Sequence, residues 1–354
     1  MSQRPVASQA SGLASQADGV WPCLLGIDGG GTHTRALLAD GSGRILGRGE
    51  AGSSNQATAG SGSAGDGLVQ AVRAALAQAG RSSSAVDGAA FGLAGLDRPQ
   101  DEEAFRPAVD ALCLGGHAVL VNDAVNAWAG ATGGRPGIAV NAGTGSVAYG
   151  RAADGREARA GGWGAPFGDE GSAYWIACQA LARVLRGIDG REAPSALATP
   201  LVRVLGLTDP ADLCLLARAD RAAAAGVPVE ALIAALAPAV VAEAEVGQAD
   251  ACAILDAAAR ELTAHAVAIT AALGTGQGPL PVYGLGSVLL PQGMGGSATP
   301  VGRRMDALLR AHTGDGLHAP THSALVGALV LAWEQARPGT PLPAGLVAAW
   351  GREV

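Results

Sequence analysis

The stretch LLGIDGGGTHTRALLAD, residues 24–40, determines the predicted fold. An apolar run ends at Asp28, three glycines follow, and a second apolar run begins after the threonines. Consecutive glycines let a backbone approach a ligand closely and direct several N–H groups at it, which is typical of phosphate binding. The second run continues through a D-G turn into ILGRG, residues 45–49, in the pattern of strand, turn and strand. The sequence therefore predicts that the glycines form the tip of a β-hairpin.

Two common phosphate-binding loops do not fit this stretch. A Walker A loop and the ATP site of a protein kinase both need a lysine, and all 24 basic residues of the chain are arginine. A dinucleotide-binding fingerprint needs a helix after its glycines, whereas strand-forming residues follow here. At the second glycine loop, Gly143, Gly145 and Ala148 fit G-x-G-x-x-A, so a dinucleotide site stays a minor alternative there. Residues 146–151, however, alternate as a strand does.

The composition narrows the class of protein. With 354 residues, 49% of them hydrophobic, the chain is long enough for two domains with substantial cores. No apolar run approaches the ~20 residues of a membrane span, and a net charge of −7 argues against a nucleic-acid partner. The five scattered cysteines lack C-x-x-C spacing, which favours the reducing cytoplasm without disulfides, zinc or an iron–sulfur cluster. Residues 1–20 are small and polar, which predicts a disordered tail rather than a signal peptide.

The secondary-structure pattern partly repeats along the chain. Strands are predicted at 23–28, 33–39, 44–49, 86–92 and 117–121, on both sides of the glycine loop in 137–151, and at 281–289. Helices are predicted at 66–79, at 99–112, from near Asp169 onward, through most of 194–272, and at 322–336. This order predicts an α/β protein in which two lobes, each with a glycine hairpin tip, face each other across a cleft.

The glycine loops, taken in order, resemble the motifs of the sugar-kinase/heat-shock/actin superfamily. GIDGGGTHT (26–34) resembles its first phosphate motif, NAGTGS (141–146) its second, and YGLGSVL (283–289) its adenosine motif. The chain further resembles the BadF/BadG/BcrA/BcrD-type group, and more narrowly N-acetylglucosamine kinases, in GGWGAPFGDEGSAYWIACQA (161–180), GLAGLDRP (92–99) and VNDAVNAW (121–128). The paired cysteines of dehydratase activators in the wider group are missing, as is the zinc motif CxCGxxGC of another sugar-kinase family.

The resemblance covers roughly residues 23–336 and implies a two-lobed actin-like ATPase fold of the ribonuclease H-like type. Each lobe would contain the order βββαβα, and the nucleotide would bind in the interlobe cleft. The N-terminal lobe is expected at 21–122, with a C-terminal helix about 322–354 packing back on it. The C-terminal lobe is expected at 123–321, with a helical insertion at about 190–275. The resemblance also suggests a homodimer.

The implied activity is ATP-dependent transfer of the γ-phosphate to the 6-hydroxyl of N-acetyl-D-glucosamine, with ATP and Mg²⁺ as cofactors. Asp28 would hold Mg²⁺ through water, the alternative being that it caps its turn. By resemblance Asp123 is the general base, although Asn122 or Asp123 could instead cap the following helix. The nucleotide would be bound by the three glycine motifs, at Gly29, Gly30, Gly31, Thr32, Gly143, Thr144, Gly145, Ser146, Gly286 and Ser287.

The sugar would be bound by Asn55, Asp123, Trp163, Gly164 and Asp169. For three of them a structural role is the alternative: a polar turn for Asn55, hinge packing for Trp163 and a helix cap for Asp169. Other functions also stay open, namely a kinase for glucosamine or N-acetylmuramic acid, a regulatory ATPase without a sugar substrate, and an inactive sugar sensor.

Overall fold

The computed structural model describes residues 21–30, 33–52, 61–217, 227–274, 278–290 and 298–354. The chain divides into two compact units. Unit 1 contains the residues up to Gly134 together with His322–Val354, and unit 2 contains Arg135–Thr321. The first boundary lies after the helix that begins at Asp123, whereas the sequence analysis places it before that helix. The reason is that this helix packs on elements of unit 1.

A five-stranded mixed sheet forms the centre of unit 1, in the order β3-β2-β1-β4-β5. Its strands are β1 (Cys23–Gly29), β2 (Thr34–Asp40), β3 (Ile45–Ala51), β4 (Gly88–Leu93) and β5 (His117–Asn122). The first three form an antiparallel meander, and β4 and β5 run parallel to β1. The predicted strand–turn–strand at the first glycine loop is therefore confirmed.

Three helices follow these strands in the first part of unit 1: α1 (Ser61–Ala79), α2 (Pro99–Asp110) and α3 (Asp123–Thr132). Side chains alternate along β1, so Leu25 and Ile27 join the buried cluster beneath α1, which includes Leu68 and Phe91. The parallel order brings the carboxyl ends of β1, β4 and β5 to one edge of the sheet, where α/β proteins commonly bind ligands.

Unit 2 contains a second five-stranded mixed sheet, in the order β10-β9-β6-β7-β8. Its strands are β6 (Gly137–Ala142), β7 (Ser146–Arg151), β8 (Glu157–Gly161), β9 (Val282–Leu285) and β10 (Leu317–His318). Its helices are α4 (Ala173–Ile188), α5 (Ala198–Val204), α6 (Val229–Ala234), α7 (Ala237–Glu245), α8 (Ala249–Leu273) and α9 (Pro300–Thr313). The long helix α8 packs across β6, β7 and β8.

Three elements of unit 2 differ from the sequence prediction. Helix α4 starts at Ala173, after a Ser172 cap, and not near Asp169. Helix α9 was not predicted, although Thr299 caps it and Pro300 occupies its first turn. Strand β10 has only two residues, which is too short for an alternating pattern to show.

The C-terminal residues return to unit 1 as two helices, α10 (Ala324–Ala336) and α11 (Leu346–Glu353). The segment expected to form one helix over about 322–354 is interrupted by the Pro- and Gly-rich residues 338–345. Helix α10 lies close against the sheet, because a Cβ on Gly26 would come within 2.9 Å of the Leu329 backbone nitrogen. None of the helices among the described residues has the length and apolarity needed to cross a lipid bilayer.

Candidate active site

The first glycine loop connects β1 to β2 in unit 1. Asp28 lies one residue before the end of β1. In the register of the sheet it is opposite Arg35 on β2 and Gly92 on β4. The Gly30 N–H donates to the His33 carbonyl at 2.9 Å, so the loop closes as a hairpin tip. The predicted ligand residues Gly31 and Thr32 lie outside the described residues.

Asp28 and Asp123 form a pair of interacting carboxylates in unit 1. Burial raises the pKa of the Asp28 carboxyl to about 6, and the charge of Asp123 adds to this rise. The charge of Arg35 and a hydrogen bond from Asn126 act in the opposite direction. The two acids come from the carboxyl ends of β1 and β5, with β4 between them. The sequence prediction named both residues, and their proximity is a finding of the structure.

Helix α3 is capped by Asn122 and not by Asp123. The Asn122 side chain accepts a hydrogen bond from the Ala124 N–H at 3.0 Å, which caps α3. Asp123 is the first residue of that helix. The cap alternative therefore applies to Asn122, and the Asp123 carboxylate is not needed for it.

Asn126 supports this acidic pair and was not identified from the sequence. It lies one turn after Asp123, it is fully buried, and its Nδ2 donates to the Ile27 carbonyl at 2.8 Å. Its Oδ1 has no hydrogen-bond partner among the described residues. A Cβ on Gly92 would come within 2.0 Å of Nδ2, so only glycine leaves room for this amide. The sequence shows Asn126 only as a polar residue among apolar ones, and its burial against β1 is known from the structure alone.

The second glycine loop connects β6 to β7 in unit 2. These two strands pair in antiparallel register from Gly137–Arg151 to Ala142–Ser146. No helix follows the glycines, so the dinucleotide alternative is wrong. The loop is held by the first turn of α4, where the N–H groups of Ala173 and Tyr174 donate to the carbonyls of Gly143 and Thr144.

Asp169 closes on this second loop from the segment before α4. Its Oδ1 accepts a hydrogen bond from the Ser146 N–H at 3.3 Å, and a Cβ on Gly145 would lie 2.8 Å from its Oδ2. Its φ of 58° is in the left-handed region, which is uncommon for a residue other than glycine. Since Ser172 is the residue that caps α4, the helix-cap alternative for Asp169 is wrong. Burial raises the pKa of the Asp169 carboxyl.

The loop between β8 and Asp169 exposes two aromatic side chains. Trp163 is 80% exposed and Phe167 is 88% exposed. Gly164 has a φ of 88°, which lets the chain turn between them. Trp163 is therefore not part of the core of unit 2. Asn55, the remaining predicted sugar ligand, lies outside the described residues.

The predicted adenosine motif borders an apolar cavity in unit 2. Gly286 follows β9 with a φ of 83°, and a Cβ there would lie 2.3 Å from the Ala142 carbonyl oxygen. Ser287 and Thr144 both line a cavity of about 480 Å³. The apolar part of its wall comes mainly from α6 and α7, with Ala231, Ala234, Ala235, Ala237, Pro238, Val241 and Ala242. A mostly apolar cavity with a few polar groups suits a flat heteroaromatic base.

The acidic pair also fits the predicted metal. In the part of the chain that the structure describes, no cluster of three or more His, Cys, Asp or Glu side chains could hold a metal ion by itself. Mg²⁺ commonly binds through one or two carboxylates and completes its shell with water and substrate phosphates. A divalent cation beside Asp28 would offset the repulsion from Asp123 that raises the pKa of Asp28.

The two sheets, the glycine hairpins and the acidic pair define the class of protein. The fold is that of the actin-like ATPases. Residues 25–332 match the BadF/BadG/BcrA/BcrD ATPase family, so the chain belongs to this family.

Two proteins named as sugar kinases are similar in sequence to part of the chain. The N-acetylmuramic acid/N-acetylglucosamine kinase of Clostridium acetobutylicum is 34% identical over 190 residues, and the N-acetyl-D-glucosamine kinase of Dictyostelium discoideum is 30% identical over 201 residues. Each match covers 54% of this chain and 62% of the relative.

Two crystal structures extend the comparison to most of the chain. A protein from Chromobacterium violaceum, provisionally assigned as an N-acetylglucosamine kinase, is 30% identical with a TM-score of 0.65, and the match covers 88% of this chain and 99% of that one. A ROK family glucokinase from Streptomyces griseus, in complex with glucose and AMPPNP, has a TM-score of 0.52 at 17% identity over 88% of this chain and 98% of its own. This second similarity supports the fold alone.

Proposed function

We propose that the protein is an ATP-dependent amino-sugar kinase that transfers the γ-phosphate of ATP to the 6-hydroxyl of N-acetyl-D-glucosamine. The observation that carries the proposal is the interacting pair Asp28 and Asp123 at the edge of the unit 1 sheet where the carboxyl ends of β1, β4 and β5 meet. One carboxylate can serve the metal while the other serves the attacking hydroxyl. The names of the two curated relatives support an amino sugar as the acceptor.

Asp123 is the proposed general base. It takes the proton from the sugar hydroxyl as the oxygen attacks the γ-phosphorus and ADP leaves. Its place in the first turn of α3, with Asn122 forming the cap, fixes its backbone while its side chain serves the substrate. A base of this kind must approach the hydroxyl to ~2.6–3.2 Å.

Asp28 is the proposed residue for Mg²⁺, with water between the carboxylate and the ion. When bound, Mg²⁺ neutralises charge on the phosphates during transfer. Asn126 helps to orient Asp28, because its amide donates both to the preceding carbonyl and to the Asp28 carboxylate. Arg35, opposite Asp28 on β2, favours the charged form of that carboxylate.

Each glycine loop is proposed to bind phosphate groups. Backbone N–H groups at Gly29 and in the second loop would replace the lysine that other phosphate sites use, whereas the Gly30 N–H already donates to the His33 carbonyl. The adenine is proposed to occupy the 480 Å³ cavity beside Gly286 and Ser287. Gly31 and Thr32 remain predicted ligands from the sequence motif alone.

The sugar is proposed to contact Asn55, Trp163, Gly164 and Asp169. An exposed tryptophan offers a flat apolar face to a pyranose ring, and a carboxylate accepts hydrogen bonds from its hydroxyls. N-Acetylmuramic acid is the second candidate acceptor, because the Clostridium relative is named for both sugars.

The proposal is tested by measuring ADP release from Mg²⁺-ATP with N-acetylglucosamine, N-acetylmuramic acid, glucosamine and glucose in parallel. The proposal predicts that N-acetylglucosamine stimulates ADP release most strongly and that Asp123→Asn abolishes this stimulation. ATP hydrolysis that no sugar changes would instead support a regulatory ATPase. Sugar binding without ADP release would support an inactive sensor.

A further inference from the structure

One histidine of unit 2 contacts both ends of the loop that carries Trp163 and Asp169. We propose that His265, together with Glu170, is a positioning residue that holds the loop 162–169 in the conformation that binds the sugar. This inference rests on the proposed function for its substrate. The contacts that support it lie within unit 2 and do not depend on any ligand.

The first end of the loop, at Gly161, packs against the imidazole ring of His265. Gly161 is the last residue of β8 and has a φ of 70°. A Cβ at this position would come within 2.8 Å of His265 Cε1 and 2.9 Å of Nε2, so the backbone passes directly over the ring. The next residue is also fixed, because Arg159 donates from Nη2 to the Gly162 carbonyl at 2.9 Å.

The second end of the loop meets the same ring through a carboxylate. Glu170 Oε2 lies 3.7 Å from His265 Nε2. This separation is within ion-pair range but too long for a hydrogen bond. His265 comes from the middle of α8, the helix that supports β6, β7 and β8, so both loop ends are fixed to a rigid element.

His265 and Glu170 each have a buried polar atom that lacks a hydrogen-bond partner among the described residues. The two atoms are Glu170 Oε2 and His265 Nδ1. Burial lowers the pKa of His265, while the charges of Glu170, Glu261 and Asp169 act in the opposite direction. A purely structural contact at this position could be apolar, and two incompletely satisfied polar groups next to a binding loop are typical of a functional constraint.

Glu170 is connected to the proposed sugar ligand Asp169 through hydrogen bonds with Ser146. Its backbone carbonyl accepts a hydrogen bond from Ser146 Oγ at 2.8 Å, and its neighbour Asp169 accepts one from the Ser146 N–H. Asp169 is also held in the left-handed region, so its carboxylate depends on the backbone on both sides of it. A change at His265 is therefore expected to shift Asp169 through Glu170, and Trp163 through Gly161.

The inference is tested with His265→Leu, which fills the space without polar atoms, and His265→Gln, which keeps a donor. Glu170→Gln removes the charge at the other partner. Arg260→Gln is the matched control, since it removes an exposed charge from the same helix. The measurements are KM for sugar, KM for ATP, kcat, and the melting temperature of each variant.

We expect KM for the sugar to rise about tenfold in His265→Leu and Glu170→Gln, with KM for ATP changed by less than about twofold. His265→Gln should recover most of the sugar affinity, and Arg260→Gln should resemble the wild type. The double variant His265→Leu/Glu170→Gln should be no worse than either single variant, since both remove one coupled contact. Additive effects, or an unchanged sugar KM in the folded variants, would overturn the inference.

A second readout is independent of any kinase activity. Trp163 and Phe167 are exposed chymotrypsin sites within the loop. The initial rate of cleavage after these residues should rise at least about fivefold in His265→Leu and in Glu170→Gln. It should stay unchanged in Arg260→Gln. If wild-type protein phosphorylates no sugar, the proposed function fails, but faster cleavage would still support the loop contact. Equal cleavage of all variants would refute it.

Discussion

Replacing Asp28 by asparagine is expected to make the protein more stable at neutral pH and, at the same time, to remove its proposed magnesium ligand. Asp28 is partly buried beside Asp123, and both features disfavour its charged form. An uncharged amide of nearly the same size escapes this penalty. Stability and activity should therefore change in opposite directions, as is common for residues of active sites.

The magnitude follows from the pKa of Asp28, which rises from an ordinary value of 3.8 to about 6 in the folded protein. Because the folded protein binds the proton more tightly, the protonated carboxyl stabilises the fold below about pH 4. This stabilisation is lost as the pH rises to about 6. Each unit of difference between folded and unfolded chain is worth about 1.4 kcal/mol, so the charged carboxylate costs about 3 kcal/mol above pH 6.

The assay is urea unfolding at pH 4 and pH 7.5, without Mg²⁺ or nucleotide. It is followed by the fluorescence of the buried tryptophans of unit 1: Trp128, Trp333 and Trp350. Asp28→Asn should gain up to about 3 kcal/mol over wild type at pH 7.5 and very little at pH 4. Asp110→Asn, which removes an exposed carboxylate at the end of α2, is the control. A less stable Asp28→Asn protein at pH 7.5 would show that the charged Asp28 carboxylate does not destabilise the fold.

Three further predictions concern the proposed catalytic base, the packing around Asn126 and the proposed adenine cavity. Asp123→Asn should lower kcat by at least ~10²-fold in the ADP-release assay while KM for ATP and for sugar stays within a few-fold, and a near wild-type kcat would place the base elsewhere. Gly92→Ala should lower both melting temperature and kcat, because its Cβ would come within 2.0 Å of Asn126 Nδ2; an unchanged melting temperature would contradict the close approach. Ala235→Trp, at an exposed position of the 480 Å³ cavity, should raise KM for ATP more than tenfold without changing KM for sugar, and ATP binding by calorimetry checks this directly.

The glycine hairpins could be predicted because their information is local. In both, apolar strands end at glycines, and the residues that follow alternate rather than repeat with helical period, as seen at Ser146–Arg151. Asp28 and Asp123 could each be placed at a strand end for the same reason. Their mutual interaction depends on the parallel order of β1, β4 and β5, which no local pattern encodes.

Other features depend on contacts between distant parts of the chain. His265 lies about a hundred residues from Gly161 and Glu170, so its role in the loop follows from packing alone. Asn126 was hidden for the same reason, since its partner is the backbone of β1. Helix α9 is different, because Thr299 followed by Pro300 is a local start signal that the sequence analysis did not use.

We propose that the carboxylate pair of Asp28 and Asp123 lets this chain phosphorylate an amino-sugar alcohol. The most direct measurement is NMR of the product formed from N-acetylglucosamine and Mg²⁺-ATP, in which ³¹P–¹H correlation identifies the phosphorylated carbon. We predict a single new phosphate ester coupled to the two protons on C6, formed by wild-type protein and absent with Asp123→Asn. An ester at another carbon, or ATP consumption that yields only inorganic phosphate, would contradict the account.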